Sequence, residues 1–163
     1  TAGIHIKYDL DRIKRADPRL PMHPHYAFDT NVIILTLFPG IQENIIRNAL
    51  STPGLKAVIL KTYGSGNAPQ KPWFIKLLTE VTQRGIVIVN ISQCPTGTVE
   101  MARYETGIHL LDAGVISGYD ATVECVLTKL MFLLGHDLTP QEIRNEMSRS
   151  LAGEITRPEM PTR

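Results

Sequence analysis

The sequence predicts an α/β domain built on a small, mostly parallel sheet, and three observations carry that expectation. Asn31–Leu37 (NVIILTL), Ala57–Leu60 (AVIL) and Ile86–Ile91 (IVIVNI) are short, near-continuous apolar runs rich in branched side chains. Such runs mark strands covered on both faces. The segments between them repeat their apolar residues at helical rather than alternating spacing. The order strand, helix, strand, helix, strand then calls for parallel pairing through right-handed crossovers.

Each element has its own local reason. Gly3–Tyr8 (GIHIKY) alternates and reads as a strand, followed by a charged stretch and by Pro18, Pro21 and Pro24. Prolines this dense keep the backbone extended. Residues 1–30 are therefore expected to be the end of a preceding domain and an interdomain linker, with one α/β domain over 31–163. After the first strand, Phe38-Pro39-Gly40 is a stop signal, and Ile41, Ile45, Ile46 and Leu50 align on one side of a short helix ended by Pro53-Gly54. The second strand runs into a glycine-rich loop, Thr62–Gln70. Lys71–Arg84 reads as the next helix, with Pro72 in its first turn, Phe74, Leu77, Leu78 and Val81 inward, and Gly85 after its last turn. Trp73 beside this pattern is read as a packing residue. The third strand opens into Ser92–Gly97. Val99–Gly114 carries Met101, Tyr104, Ile108 and Leu111 at helical spacing and is expected to be helical, at least from Tyr104, with Gly114 closing it, and Val115-Ile116 leads on to Ser117-Gly118-Tyr119. Asp120 is the expected N-cap of a helix with Val123, Leu127, Leu130, Met131 and Leu134 inward, widened by Val126 and Leu133. Thr139-Pro140-Gln141-Glu142 is a capping box opening a last short helix.

Composition excludes several function classes. The chain has 163 residues, enough for one domain with a real core, and a formal net charge of +1 from 17 basic and 16 acidic residues. With no basic stripe, nucleic acid and acidic membrane surfaces are not expected partners. No apolar run approaches the roughly 18 residues that cross a bilayer. The opening TAGIHIKYDLDRIKR lacks the layout of a signal peptide. Cys94 and Cys125 are too few for a disulfide scaffold and read as reduced thiols of a cytoplasmic protein. His23 and His25 form an HPH triplet without further metal ligands nearby, so exposed histidines are expected and no metal or other cofactor.

The two loops that leave the second and third strands carry what chemistry the chain has, because open α/β sheets bind ligands beyond the carboxyl ends of their strands. Gly64-Ser65-Gly66 is neither G-x-G-x-x-G, since Pro69 stands where the third glycine belongs, nor a P-loop. Its glycines let the backbone turn and let a ligand approach. Asn67 offers an amide donor and a carbonyl acceptor suited to a small polar ligand, or serves as a turn residue tolerant of left-handed backbone. Ser65, Ser92, Thr96 and Cys94 are the available nucleophiles, but no nucleophile elbow or S-x-x-K pattern surrounds them and the sequence places no His beside any of them, a Cys94–His109 pair being the one thiol–imidazole combination considered. The chain thus has a ligand loop without a catalytic centre.

Lys61-Thr62-Tyr63-Gly64-Ser65-Gly66-Asn67-Ala68-Pro69, Gly85-Ile86-Val87-Ile88-Val89-Asn90-Ile91-Ser92-Gln93-Cys94, Ala113–Thr122 with Glu124, and Leu151–Thr156 together resemble the C-terminal domain of type I, cytoplasmic-type L-asparaginases. Ala2–Ile6 is similar to the stretch before that family's interdomain linker. The resemblance implies a three-layer αβα, flavodoxin-like domain of an enzyme that converts L-asparagine and water to L-aspartate and ammonia. The family's catalytic threonines, with a Lys and an Asp, lie on a larger N-terminal domain, and those motifs are absent here. It also implies a homo-oligomer, a dimer or tetramer, in which the loop matching Ser65, Gly66 and Asn67 reaches a neighbouring subunit's active site. There the Asn helps hold the substrate's amino end. Some members have an allosteric asparagine site lined by an Arg at the position of Lys61 and by a Cys at that of Cys94. This chain keeps the Cys and has Lys, which keeps the charge and loses the bidentate fork. In periplasmic relatives a Glu from this domain nears the active site, for which Glu100 and Glu105 are candidates. The expectation is therefore a supporting domain, inactive alone. The alternatives are a stand-alone small amino-acid-binding regulatory domain using loops 62–67 and 93–97, and a hydrolase built on Cys94.

Overall fold

A computed structural model describes residues 10, 13, 17–102 and 105–156 of the chain. Its elements, in order, are β1 (Val32–Thr36), α1 (Glu43–Leu50), β2 (Ala57–Thr62), α2 (Pro72–Gln83), β3 (Val87–Ser92), α3 (Glu105–Asp112), β4 (Ile116–Ser117), α4 (Val123–Leu134) and α5 (Pro140–Met147). The strands form one four-stranded sheet in the order β1-β2-β3-β4. Every neighbouring pair is parallel. The expected α/β class with a parallel sheet is what the chain adopts. β4 had no counterpart among the expected strands: two residues are too short to show periodicity, and pairing with Val89 and Asn90 of β3 creates it.

The apolar runs are continuous because helices cover both faces of the sheet. Val58, Leu60 and Ile88 pack with Ile46, Leu50, Phe74, Leu77, Leu78, Val81 and Leu110, from α1, α2 and α3. Ala57, Ile59, Val87, Val89 and Ile91 pack with Val126, Leu130, Leu133, Ile143 and Met147, from α4 and α5. Successive residues of one strand thus serve opposite layers, which is the physical content of a three-layer domain. β3 is apolar on both faces but for the fully buried Asn90 and its last residue, the half-buried Ser92.

Local expectations held where the signal was stereochemical. Pro72 occupies the first turn of α2, Gly85 takes the left-handed backbone at φ +86°, and Thr139 and Glu142 form a reciprocal capping box. Trp73 is partly buried against the core and meets Phe74 edge-on at 5.7 Å. Three expectations fail. Ile45 lies on the exposed side of α1, whose buried residues are Ile46 and Leu50. Val99–Ala102 is not helical, because its backbone is spent on tertiary bonds: Val99 N donates to Tyr119 O at 3.0 Å and Glu100 N to Ser65 O at 3.1 Å. Asp120 is not the N-cap of α4. A turn at Gly118–Ala121, with Tyr119 at φ +57°, carries the chain past it, and Thr122 caps instead by accepting from Cys125 N at 3.3 Å. Asp120 accepts from Thr156 N at 2.7 Å. The expected inward face of α4 is largely the observed one: Val126, Leu130 and Leu133 are buried and Val123, Leu127 and Leu134 pack beside them, while the buried Lys129 was not expected there.

His23 and His25 are exposed. The His25 ring lies edge-on to Phe132 with centroids 5.9 Å apart, and Asp29 N donates to Met131 O at 2.9 Å, so the stretch before β1 runs along α4. The strand expected at Gly3–Tyr8, Tyr104, and the tail beyond Thr156 lie outside the described residues.

Lys129 is buried within α4 because its ammonium is fully engaged. It donates to Glu154 Oε1 at 2.7 Å, to Met147 O at 3.4 Å and to Arg149 O. This clamps the segment after α5 onto α4. Burial pushes the Glu154 carboxyl up, but hydrogen bonds from Leu151 N, Lys129 Nζ and Ala152 N outweigh it and hold the pKa at about 2, against the usual 4.5. A carboxylate depressed on folding contributes stability that is complete above its unfolded value and disappears as pH falls through its folded value. The window here runs from 4.5 down to about 2. Glu154→Gln, which leaves the buried ammonium without its counter-charge, is expected to lower stability by about 3 kcal/mol at neutral pH. Urea midpoints measured across that window check this: the gap between the variant and the unaltered protein must close towards its acid end.

Candidate functional site

The register of β2 on β3 sets Leu60 beside Asn90 and Thr62 beside Ser92, so both strands end together. The loops 63–67 and 93–97 leave from that common edge. The first is a tight turn closed by an antiparallel bridge: Tyr63 N donates to Asn67 O at 2.8 Å, and Asn67 N returns to Tyr63 O at 2.8 Å. Gly66 is buried at φ +109°, where a Cβ would stand 2.9 Å from Val99 Cγ1. Backbone conformation and lack of space both require glycine there.

Beneath the turn is a buried polar bridge. Thr62 Oγ1 donates to Asn90 Oδ1 at 2.6 Å, and Asn90 Nδ2 donates to Gly66 O at 3.3 Å. Both side chains are fully buried. At the side of the turn, Ser92 Oγ donates to Gly64 O at 2.6 Å and accepts from Cys94 N at 2.9 Å, joining the two loops. Gln93 Nε2 reaches Leu37 O at 2.7 Å and Lys61 O at 3.0 Å, tying the ends of β1 and β2 to the second loop. The turn is thus held from below, from the side and from behind.

Asn67, half-buried at the lip, accepts from Thr106 Oγ1 of α3 at 2.7 Å. Ser65 is half-buried beside it, and its carbonyl takes the Glu100 amide. Lys61 sits one residue before the end of β2; its ammonium helps lower the Glu124 carboxyl, after that residue's own backbone amide and the Thr122 hydroxyl. Cys94 is an exposed free thiol in the other loop. Among the described residues no hydrogen bond joins Cys94 to His109, so the thiol–imidazole pair is not formed. Glu100 is brought to the turn by its backbone, and Glu105 opens α3 next to Thr106. Among the described residues, no three His, Cys, Asp or Glu side chains are grouped to hold a metal ion, and no helix is long and apolar enough to cross a membrane.

Thr106, Gln93 and the Thr62–Asn90 bridge went unremarked in the sequence. Only Asn90 left a signal there, as the single polar residue in an apolar run. A separate open cavity of about 750 Å³ lies beyond Val99, lined by Met101, Leu111, Ser117 and Tyr119 among others. Its walls are mostly apolar and include none of Lys61, Asn67 or Cys94. The two loops, with their directional polar groups, are better matched to a small charged ligand.

Asn90→Leu removes the bridge and leaves Gly66 O without its donor. The expected cost is about 1–3 kcal/mol in global stability, with faster hydrogen exchange at the Gly66 and Asn67 amides. Unchanged exchange at those two amides would show the turn to be held from its rim alone.

Comparison with known proteins places this architecture. The family model described as "Glutaminase/Asparaginase C-terminal domain" matches residues 31–147. The chain is 45% identical over 156 residues to L-asparaginase 1 of Escherichia coli (strain K12), covering 95% of this chain and 45% of that protein. It is 37% identical over 164 residues to the 60 kDa lysophospholipase of Homo sapiens, covering 100% of this chain and 28% of that protein. The crystal structure of L-asparaginase I from Vibrio cholerae superposes with a TM-score of 0.76 at 44% identity, over 80% of this chain and 39% of that one. The chain therefore spans less than half the length of these relatives. By sequence and by fold, it belongs to the glutaminase/asparaginase C-terminal domain family.

Proposed function

We propose that the chain works as the C-terminal domain of a type I L-asparaginase, which hydrolyses the side-chain amide of L-asparagine to give L-aspartate and ammonia. One observation carries the reading: a braced turn presents the Asn67 amide at the sheet's carboxyl edge, while among the described residues the same edge has no nucleophile hydrogen-bonded to a base. Amide hydrolysis needs such a pair. The pair then belongs to a partner, the N-terminal catalytic domain of the same enzyme, and this domain contributes a substrate-contacting turn of Ser65, Gly66 and Asn67. The length of the relatives, more than twice the matched stretch in the E. coli protein, supports the missing domain. The proposed assembly is a cytoplasmic homo-oligomer, in which the turn serves a neighbouring subunit.

Two measurements test this. The isolated chain is expected to release no ammonia from asparagine, and release above the buffer rate would refute a purely supporting role. In the full-length protein, Asn67→Ala is expected to cost about 1–3 kcal/mol in kcat/KM, the usual loss for an unpaired polar partner. Thermal stability should be retained, and unaltered kinetics would reduce the turn to a structural element.

A second asparagine site at Lys61 and Cys94 would have to hold a carboxylate with an ammonium point charge in place of a guanidinium fork. The proposed consequence is a hyperbolic dependence of rate on asparagine in the full-length protein, turning sigmoidal in Lys61→Arg. A sigmoidal curve for the unaltered protein would show that lysine suffices.

A further inference from the structure

We propose that the C-terminal half of α4 is a dock for the interdomain linker and that Gly135 is its positioning residue, so that the catalytic domain is attached through a fixed strap, residues 25–31, and not through a free linker. The proposal rests on the chain being the C-terminal domain of a larger enzyme, as proposed above.

The last four carbonyls of a helix have no partner within it. Met131 O is one of these in α4, and it accepts from Gly135 N at 3.1 Å and from Asp29 N of the strap at 2.9 Å. Phe132 O, the next carbonyl, accepts from His136 Nδ1 at 2.7 Å. The other ring nitrogen of His136, Nε2, stands 3.3 Å from His25 Nδ1. The Phe132 ring meets His25 and Phe28 edge-on, with centroids 5.9 and 6.1 Å away.

Gly135 shows how closely the strap approaches. Glycine after a helix usually serves a left-handed backbone. Gly135 instead has φ −76° and ψ −6°, right-handed values open to any residue. Its conformation does not require glycine, but the strap does. A Cβ there would overlap the Ala27 carbonyl and stand 2.7 Å from Phe28 N. These are backbone atoms, which cannot swing aside like the tip of a flexible side chain. Apolar burial adds little, since Tyr26 and Phe28 stay exposed. Backbone fit and Asp29 therefore hold the strap. Asp29 Oδ2 accepts from Lys56 Nζ at 2.7 Å, and its Oδ1 accepts from Asn31 N at 2.9 Å. Asn31 O accepts from Lys56 N at 2.9 Å, so the strap enters β1 without slack.

A linker loses reach with every residue it gives to a dock. Of the stretch 1–30 expected as linker, the part from His25 onward moves with the α/β domain. Just upstream, Pro18, Pro21 and Pro24 restrict the backbone further. A stiff segment leaving a fixed point has a fixed direction. The strap thereby limits where the catalytic domain can stand relative to the sheet's carboxyl edge.

Two variants test this, Gly135→Ala and replacement of residues 25–28 by Gly-Ser-Gly-Ser, which keeps chain length and leaves α4 intact. In the 163-residue chain, Gly135→Ala is expected to speed hydrogen exchange at the Asp29 amide about tenfold or more, with the amides of β2 and β3 unchanged. In the full-length protein, each variant is expected to lower kcat/KM for asparagine about tenfold and to enlarge the radius of gyration in small-angle scattering, with the thermal midpoint retained. Gly135→Ala placed in the Gly-Ser-Gly-Ser background is expected to add nothing, because the strap it displaces is already released. Its full effect persisting there would show that Gly135 acts on α4 alone and would overturn the proposal. Unchanged Asp29 exchange in Gly135→Ala would remove Gly135 from the dock. Unaltered kinetics and scattering in the Gly-Ser-Gly-Ser variant would overturn the positioning role, even if Gly135→Ala does not fold. A full-length protein without asparaginase activity would refute the reading above, and exchange and scattering would still decide the strap.

Discussion

The hydrogen bond between Thr62 Oγ1 and Asn90 Oδ1 sits at the one place where an apolar sheet has to become a polar site. Both residues are fully buried, Thr62 as the last residue of β2 and Asn90 two residues before the end of β3. A lone polar group there would cost the desolvation of its unmet hydrogen bonds. Two facing each other satisfy that demand and leave one amide donor, Asn90 Nδ2, to hold the carbonyl of Gly66. The turn is thereby anchored to the buried central strands of the sheet.

From that anchor the braces spread outward. Ser92 and Gln93 stitch the second loop to the first and to the ends of β1 and β2, and Thr106 reaches across from α3 to the lip. Each acts on a different part of the turn, so the Asn67 backbone and side-chain amide are braced separately. Pre-arrangement of this kind lowers the entropy lost on binding. On the other layer the Lys129–Glu154 pair does comparable work for the segment after α5, where an ammonium surrounded by carbonyls and a carboxylate replaces apolar packing.

Among the described residues no nucleophile at this edge is hydrogen-bonded to a base, and that is consistent with a domain whose contribution is geometric. A supporting domain needs stiffness and a correctly presented side chain more than it needs reactive groups. The thiol of Cys94 illustrates the difference. It is exposed and lies in the right loop, yet its backbone amide is occupied with Ser92 and, among the described residues, no histidine is hydrogen-bonded to it, so position alone does not make it a nucleophile.

What the sequence by itself determined was whatever depends on neighbours along the chain. Continuous apolar runs required strands covered on both faces, Pro72 and the Thr139–Glu142 box opened helices, Gly85 closed one, and the glycines of the turn announced a tight loop at a strand's end. Block-by-block resemblance pointed to the family and singled out Asn67. What only the tertiary structure decided was whatever depends on residues brought from elsewhere. β4 exists because β3 offers it an edge. Thr122 displaced Asp120 as the cap because a turn intervenes. Lys129 is buried because Glu154 and two carbonyls from 18 and 20 residues away meet it. The brace on Asn67 belongs to the same class: a hydroxyl 39 residues later in the chain meets its side-chain amide. A hydrogen bond of that span leaves no local pattern, since neither partner's residue type is unusual for its own segment.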